Sequence, residues 1–168
     1  MTGFALFDTA IGRCGIGWTA SAIAAVQLPE PTEDRTRARL RRRLPGPTES
    51  APTPLALDAI ERIIALLADG RAELRDIPLD MSGLPAFDQR VYRAAQTIPA
   101  GRTITYGGIA SMIGSPGSAR EVGRALGRNP FAIVVPCHRV VAAGGRTGGF
   151  SATGGVRTKL ALLAAESR

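Results

Sequence analysis

The stretch Ile133-Val134-Val135-Pro136-Cys137-His138-Arg139-Val140-Val141 places a thiol, the chain's single imidazole and a guanidinium on consecutive residues. Each type serves nucleophilic chemistry. A thiolate attacks electrophilic carbon, an imidazole takes the thiol proton, and a nearby cation favours the thiolate. In extended backbone, neighbouring side chains leave on opposite faces. Cys137 and His138 therefore work together only if the chain turns there or a water bridges them. The apolar run Phe131–Val135 reads as a buried strand, and Pro136, which cannot donate a ladder hydrogen bond, ends or bends it. Cys137 is then expected at a strand end. Further on, Lys159, Leu163 and Glu166 fall at i, i+4 and i+7 of a helical pattern and share a face. That makes Glu166 a candidate third member of a Cys/His/acid relay. The competing readings are a plain core cysteine and a surface helix held by ion pairs, since free cysteine often only packs.

Several elements must position these groups. FALFDT, RCGIGWT and AIAAVQL are short runs of strand formers separated by turns, as in hairpins or an antiparallel meander. The other cysteine, Cys14, is expected to pack in that sheet. A helix begins near Thr32 and stops at Pro45, with Leu40 and Leu44 as a thin apolar stripe. PGPTESAPTP reads as a linker-like loop. The next helix carries Leu57, Ile60, Ile64 and Leu67 at helical spacing and ends at Gly70. Residues 71–85 read as irregular or as a last edge strand, and a domain boundary is expected near Pro85. The second part opens with a helix bearing Phe87, Val91 and Ala94 on one face. Thr105 caps a helix through Met112, and residues 113–117 form a turn. Ser118 then caps a second helix to Arg128, stopped by Asn129-Pro130. Two short helices about a glycine-containing turn suit a helix-turn-helix. Arg120, Arg124 and Arg128 fall at i, i+4 and i+8 as one basic stripe. The glycine-dense segment after Val141 reads as a loop or wing.

Composition narrows the function classes. Residues 1–85 hold ten Arg against eleven Asp or Glu, net −1; residues 86–168 hold ten Arg and one Lys against three acids, net +8. Twenty Arg to one Lys also fits a general arginine bias, but such a bias would not empty the second part of acids. Phosphate-rich nucleic acid is the natural partner of that part. Two cysteines imply no disulfide framework and suit a reducing, cytoplasmic setting. No signal-peptide pattern and no apolar run of spanning length is present in the sequence, so no membrane partner is expected.

VVPCHRVV, preceded by GRNP and by a Tyr-led helix-turn-helix, is similar to the O6-alkylguanine-DNA alkyltransferases, also called methylated-DNA–protein-cysteine methyltransferases. The resemblance is specific over residues 87–166 and loose before them. It implies an α/β (α+β) fold: an N-terminal ribonuclease-H-like domain over 1–85, then a C-terminal domain over 86–168 with a winged helix-turn-helix-like motif and the active site. It implies DNA repair without a cofactor or metal, by a monomer acting on double-stranded DNA containing O6-alkylguanine. Cys137 resembles the nucleophile that takes the alkyl group, once per molecule. His138 resembles the base that deprotonates it through water, with Glu166 orienting the imidazole. Tyr106 matches the donor to guanine N3, Lys159 its support, and Asn129 the residue tying the recognition helix to the reactive segment. Arg120 matches the arginine that fills the space of the flipped base. Flipping is required because a pocketed cysteine cannot reach a stacked base. The resemblance implies minor-groove entry, for which Ala119 and Gly123 are suitably small, with Thr105, Arg124 and Arg128 completing the DNA-binding set. Pro136, Val140 and Ser151 are implied as substrate-pocket positions.

Departures from the pattern are Glu121 beside Arg120, Phe150 where some members have Tyr, and a longer loop that leaves the match at Ser151 open. No four-cysteine or Cys/His zinc pattern appears. Three other readings compete: a lesion-binding protein of the alkyltransferase-like class, which lacks the reactive cysteine; a cysteine hydrolase, which turns over; and a helix-turn-helix transcription factor, which leaves Cys137 unreacted.

Overall fold

The computed structural model describes residues 2–150 and 152–167. Strands β1 (Gly3–Thr9), β2 (Gly12–Trp18) and β3 (Ile23–Gln27) form the antiparallel meander expected from the three strand-forming runs. Helix α1 (Glu33–Arg43) follows, capped by Thr32, whose side chain accepts from Arg35 N. The linker-like loop does not remain irregular: Thr48–Glu49 forms a two-residue strand, β4, parallel to β1, giving the sheet order β3-β2-β1-β4. Residue type gave no sign of this, because β4 is held by backbone pairing to an open sheet edge rather than by an apolar pattern.

One sheet face is covered by α1, where Leu40 and Leu44 bury against Phe4 and Ala25. Contact is close because β2 presents glycines there: a Cβ on Gly17 would lie 2.5 Å from Leu44 Cδ1, and one on Gly15 2.9 Å from Leu40 Cδ2. The other face carries Phe7, Cys14, Ile16 and Trp18 into the main core with helix α2 (Pro54–Asp69). Cys14 is fully buried, and desolvation pushes its thiol up to about 12, so it packs as an inert hydrophobe. The buried face of α2 differs from the expected one. Ala56, Ala59, Ile60, Ile63, Leu66 and Leu67 are buried, while Leu57 and Ile64 are exposed. The two small alanines let the helix settle on the sheet along their own side, rotating Leu57 and Ile64 outward.

Residues 71–85 are mostly irregular, touching the sheet through one parallel bridge, Ile23 to Leu79. Helix α3 (Ala86–Gln96) buries Val91 and Ala94 as expected, while Phe87 packs only partly. Then come β5 (Ile104–Thr105), α4 (Tyr106–Met112), α5 (Ala119–Gly127), β6 (Val140–Val141), which pairs parallel to β5, and α6 (Val156–Glu166). The molecule is thus mixed α+β, with one apolar core running through both parts of the chain. None of its helices is long and apolar enough to cross a membrane, among the described residues.

Candidate active site

The segment that carries Cys137 is a tight loop and not the strand expected over Phe131–Val135. The Asn129 amide takes the place of a neighbouring strand. Its Nδ2 donates to Val135 O at 3.0 Å, and its Oδ1 accepts from Phe131 N at 2.9 Å. Inside this clamp Val135 N donates to Phe131 O, and buried Ile133 sits at φ 74°, a left-handed conformation that β-branched residues rarely adopt. Val26 anchors the loop to β3 by donating its N–H to Pro130 O at 2.9 Å. Buried Pro136 then leads into a 3₁₀ turn, Cys137–Arg139. The chain therefore does turn at the Cys-His pair.

The turn sends His138 inward, 1 % exposed, where its Nε2 lies 2.8 Å from Glu166 Oε1. Glu166 is also gripped by Arg139, whose Nε donates to both carboxylate oxygens at 3.0 Å and whose Nη2 pairs with Oε2. Arg139 Nη1 completes the anchor on Ile98 O at 2.6 Å. Burial alone would raise the Glu166 pKa; the hydrogen bonds of His138 and Arg139 and the Arg139 charge overcome this and lower it to about 2. Burial lowers the His138 pKa, so the ring is neutral near pH 7. A carboxylate only accepts, so Nε2 carries the proton and Nδ1 carries the lone pair. That Nδ1 is buried and has no hydrogen-bond partner among the described residues.

The close approach of the first part of the chain to Glu166 is set by Gly70, the left-handed C-cap of α2 at φ 74°. A Cβ there would lie 2.9 Å from Glu166 Cα and O. Cys137 itself is partly open to the surface. Burial of the thiol raises its pKa, opposed by a hydrogen bond from the Asn129 side chain, the charge of Lys159 and the backbone N–H groups of Cys137 and His138.

On the other side, fully buried Lys159 donates to Val140 O at 2.7 Å and to Tyr106 OH and Gly149 O at 3.4 Å each. Its ammonium lies 5.6 Å from the Tyr106 ring centroid and 6.0 Å from that of Phe150. Burial lowers the lysine's pKa and raises the tyrosine's. The expected face of α6 is confirmed for Lys159 and Glu166, both buried, while Leu163 is only partly so.

A cavity of about 400 Å³ opens in front of Cys137, lined by Tyr106, Ala119, Arg120, Gly123 and Phe150 among others. Thr105 caps α4 by accepting from Gly108 N at 3.0 Å. Ser118 precedes α5 without a side-chain cap; its hydroxyl bonds Ser115 instead, at 2.7 Å. Arg120, Arg124 and Arg128 are all exposed, but Arg128 is already paired. It lies past the end of α5, where its guanidinium is bidentate on the buried carboxylate of Asp88 at 2.9 and 3.1 Å. Val140 is buried and does not line this cavity; it supplies the carbonyl that holds Lys159. Ser151 lies outside the described residues. Sequence reasoning passed over Arg139 as the clamp on Glu166, although its place beside His138 was a signal. It also passed over Arg43 of α1, which donates to Asn129 O at 3.3 Å from 86 residues away and leaves no local trace.

A partly open cysteine backed by a buried neutral imidazole, beside short helices with exposed arginines, defines a protein with nucleophilic sulfur chemistry next to a basic surface. The model of the family described as "6-O-methylguanine DNA methyltransferase, DNA binding domain" matches residues 86–168. The methylated-DNA–protein-cysteine methyltransferase of Mycobacterium tuberculosis is 38 % identical over 99 % of this chain and 93 % of its own. The crystal structure of M. tuberculosis OGT in complex with DNA superposes with a TM-score of 0.78 at 36 % identity, covering 98 % of this chain and 92 % of that one. A DNA base-flipping protein of Thermus thermophilus is 42 % identical over 61 % of this chain and 69 % of its own. The chain belongs to the methylated-DNA–protein-cysteine methyltransferase family.

Proposed function

We propose that the protein repairs double-stranded DNA by transferring the alkyl group of O6-alkylguanine to Cys137 in a single, stoichiometric reaction. The observation that carries this is the pairing of Cys137, which lines a cavity of about 400 Å³, with an adjacent buried His138 whose Nδ1 lone pair is unengaged among the described residues. Glu166 and Arg139 fix the ring so that Nδ1 accepts the thiol proton through a water. The thiolate attacks the alkyl carbon, the C–O6 bond breaks with its electron pair passing to guanine, and a thioether forms on Cys137. Tyr106, held by Lys159, donates to guanine N3 and offsets charge developing on the leaving base. No group regenerates the thiol, so each molecule acts once.

Residues 86–168 form the DNA-binding and active-site domain in this reading. Residues 1–85 form a ribonuclease-H-like domain that braces it through Arg43, Val26 and Gly70. The winged helix-turn-helix-like pair α4 and α5 enters the minor groove, with Ala119 and Gly123 allowing close approach and Arg120 filling the space of the flipped base. Arg124 and Thr105 lie at the DNA surface, and Pro136 shapes the turn under the substrate. The protein works as a monomer in the cytoplasm, where its two free thiols stay reduced.

The test is intact-protein mass after incubation with a duplex carrying one O6-methylguanine, followed by peptide mapping. One methyl on Cys137, ending at one equivalent, is the expected result. Unchanged mass with tight lesion binding would refute transfer and install the lesion-binding reading that the likeness to a base-flipping protein favours.

A further inference from the structure

Cys137 lines two cavities. Besides the large one, a recess of about 90 Å³ opens on the side facing the first part of the chain, lined by Gln27, Arg39, Arg43, Asn129, Cys137 and Phe150 among others. We propose, resting on the transferase reading above, that this recess is a subsite for a carboxylate carried on the O6-alkyl group, so that O6-carboxymethylguanine is a favoured substrate.

Charge and size both support this assignment. Arg39 and Arg43 stand one turn apart on α1, and no carboxylate lines the recess. Arg39 is neutralised by Glu30 at 2.7 Å. Arg43 has no carboxylate partner among the described residues, and its one hydrogen bond goes to the Asn129 carbonyl. It keeps one side to solvent, yet burial and the nearby charge of Arg39 lower its pKa, the mark of a cation short of counter-charge. The recess admits a group of carboxylate size beside the thiol. A neutral alkyl group gains nothing from these arginines. An anionic one brings negative charge next to an attacking thiolate, which slows the reaction unless a cation accepts it. Arg43 supplies that cation with donors in a carboxylate-matching fork. The reaction balances as before: Cys137 Sγ bonds the methylene carbon, the C–O6 pair leaves with guanine, and the product is S-carboxymethylcysteine with its carboxylate on Arg43.

The experiment compares single-turnover rates on duplexes carrying O6-methyl-, O6-carboxymethyl- or O6-carbamoylmethylguanine, the last being the neutral isostere of the second. Wild-type protein is expected to react at least about fivefold faster with the carboxymethyl than with the carbamoylmethyl lesion. Arg43→Gln is expected to lower the carboxymethyl-to-methyl rate ratio about tenfold, with Arg43→Lys retaining part of it. The wild-type comparison stands even if a variant fails to fold. Equal rates on the two isosteres, or a ratio unchanged in Arg43→Gln, would overturn the subsite while methyl transfer stands. Equal slowing on all three lesions with weaker binding of undamaged duplex would overturn it in favour of a phosphate contact. Absence of methyl transfer by the wild type would instead refute the transferase reading itself.

Discussion

Replacing Glu166 by Gln tests the buried relay directly, because the amide keeps an acceptor for His138 and removes only the charge. The carboxylate's pKa is about 2 in the folded protein against an ordinary 4.5. A difference of that size corresponds to roughly 3 kcal/mol of stability at pH 7. The sign follows from a depressed carboxylate: the stabilisation is complete above about pH 4.5 and is lost as pH falls toward 2. The variant also leaves the Arg139 guanidinium, 7 % exposed, without its counter-charge, which itself costs on the order of 3–5 kcal/mol. These are two views of one interaction, so the expected loss is about 3 kcal/mol, or roughly 6–12 °C in Tm for a chain of this length. Urea unfolding at pH 7 measures it, and repeating it at lower pH should bring the Glu166→Gln and wild-type curves together between pH 4.5 and 2. A second variant, Glu166→Leu with Arg139→Met, should recover most of the lost stability but not the transfer rate. A loss below 1 kcal/mol at pH 7, or a gap that persists at pH 2, would refute the account of an ion pair holding His138.

Gly70→Ala should destabilise by about 2 kcal/mol, through its left-handed φ and the clash with Glu166, and should slow transfer at constant DNA affinity; urea unfolding and single-turnover rates read the two effects. Asn129→Ala removes two buried hydrogen bonds of the clamp and a bond that favours the thiolate. It should cost about 2–4 kcal/mol and move the pH–rate profile of transfer to higher pH. Arg128→Ala should lower stability by about 1–2 kcal/mol, because Asp88 loses its bidentate partner but the exposed guanidinium is screened, and should change the salt dependence of DNA binding less than Arg124→Ala does. Arg124→Ala should reduce the slope of log affinity against log salt by about 0.9, whereas Arg120→Ala should weaken lesion binding with a smaller change in slope, both with little effect on Tm.

Local pattern made much of the scaffold legible. Alternating strand formers marked β1 to β3, Thr32 and Thr105 marked helix starts, and Gly70 marked a helix end, because each signal and its structural answer lie within a turn of each other. The relay was legible in part: Cys137 and His138 stood out as types and Glu166 as a helix-face candidate, while a surface ion-pair helix fitted the same spacing until resemblance favoured the relay. What escaped the sequence depends on contacts between distant segments. Phe131–Val135 has strand composition, yet the Asn129 amide folds it onto itself. Arg128 fits a DNA-facing stripe by spacing, yet Asp88, 40 residues earlier, captures it. Arg43 looks like one more arginine in a basic run until α1 is laid beside the loop that carries Cys137.

The conformation of Ile133 has a kinetic consequence. A buried β-branched residue at φ 74° stores on the order of 1–3 kcal/mol, which extended backbone would release. The Asn129 amide, the bridge to Val26, the loop's own backbone bonds and the burial of its apolar side chains hold it against that release. The reactive segment is therefore a sprung part of an otherwise relaxed core, and it should open before its surroundings do. In native-state hydrogen exchange, the amides of Val134 and Val135 should exchange through local openings well below the global unfolding free energy, while those of the buried face of α2 wait for the whole molecule.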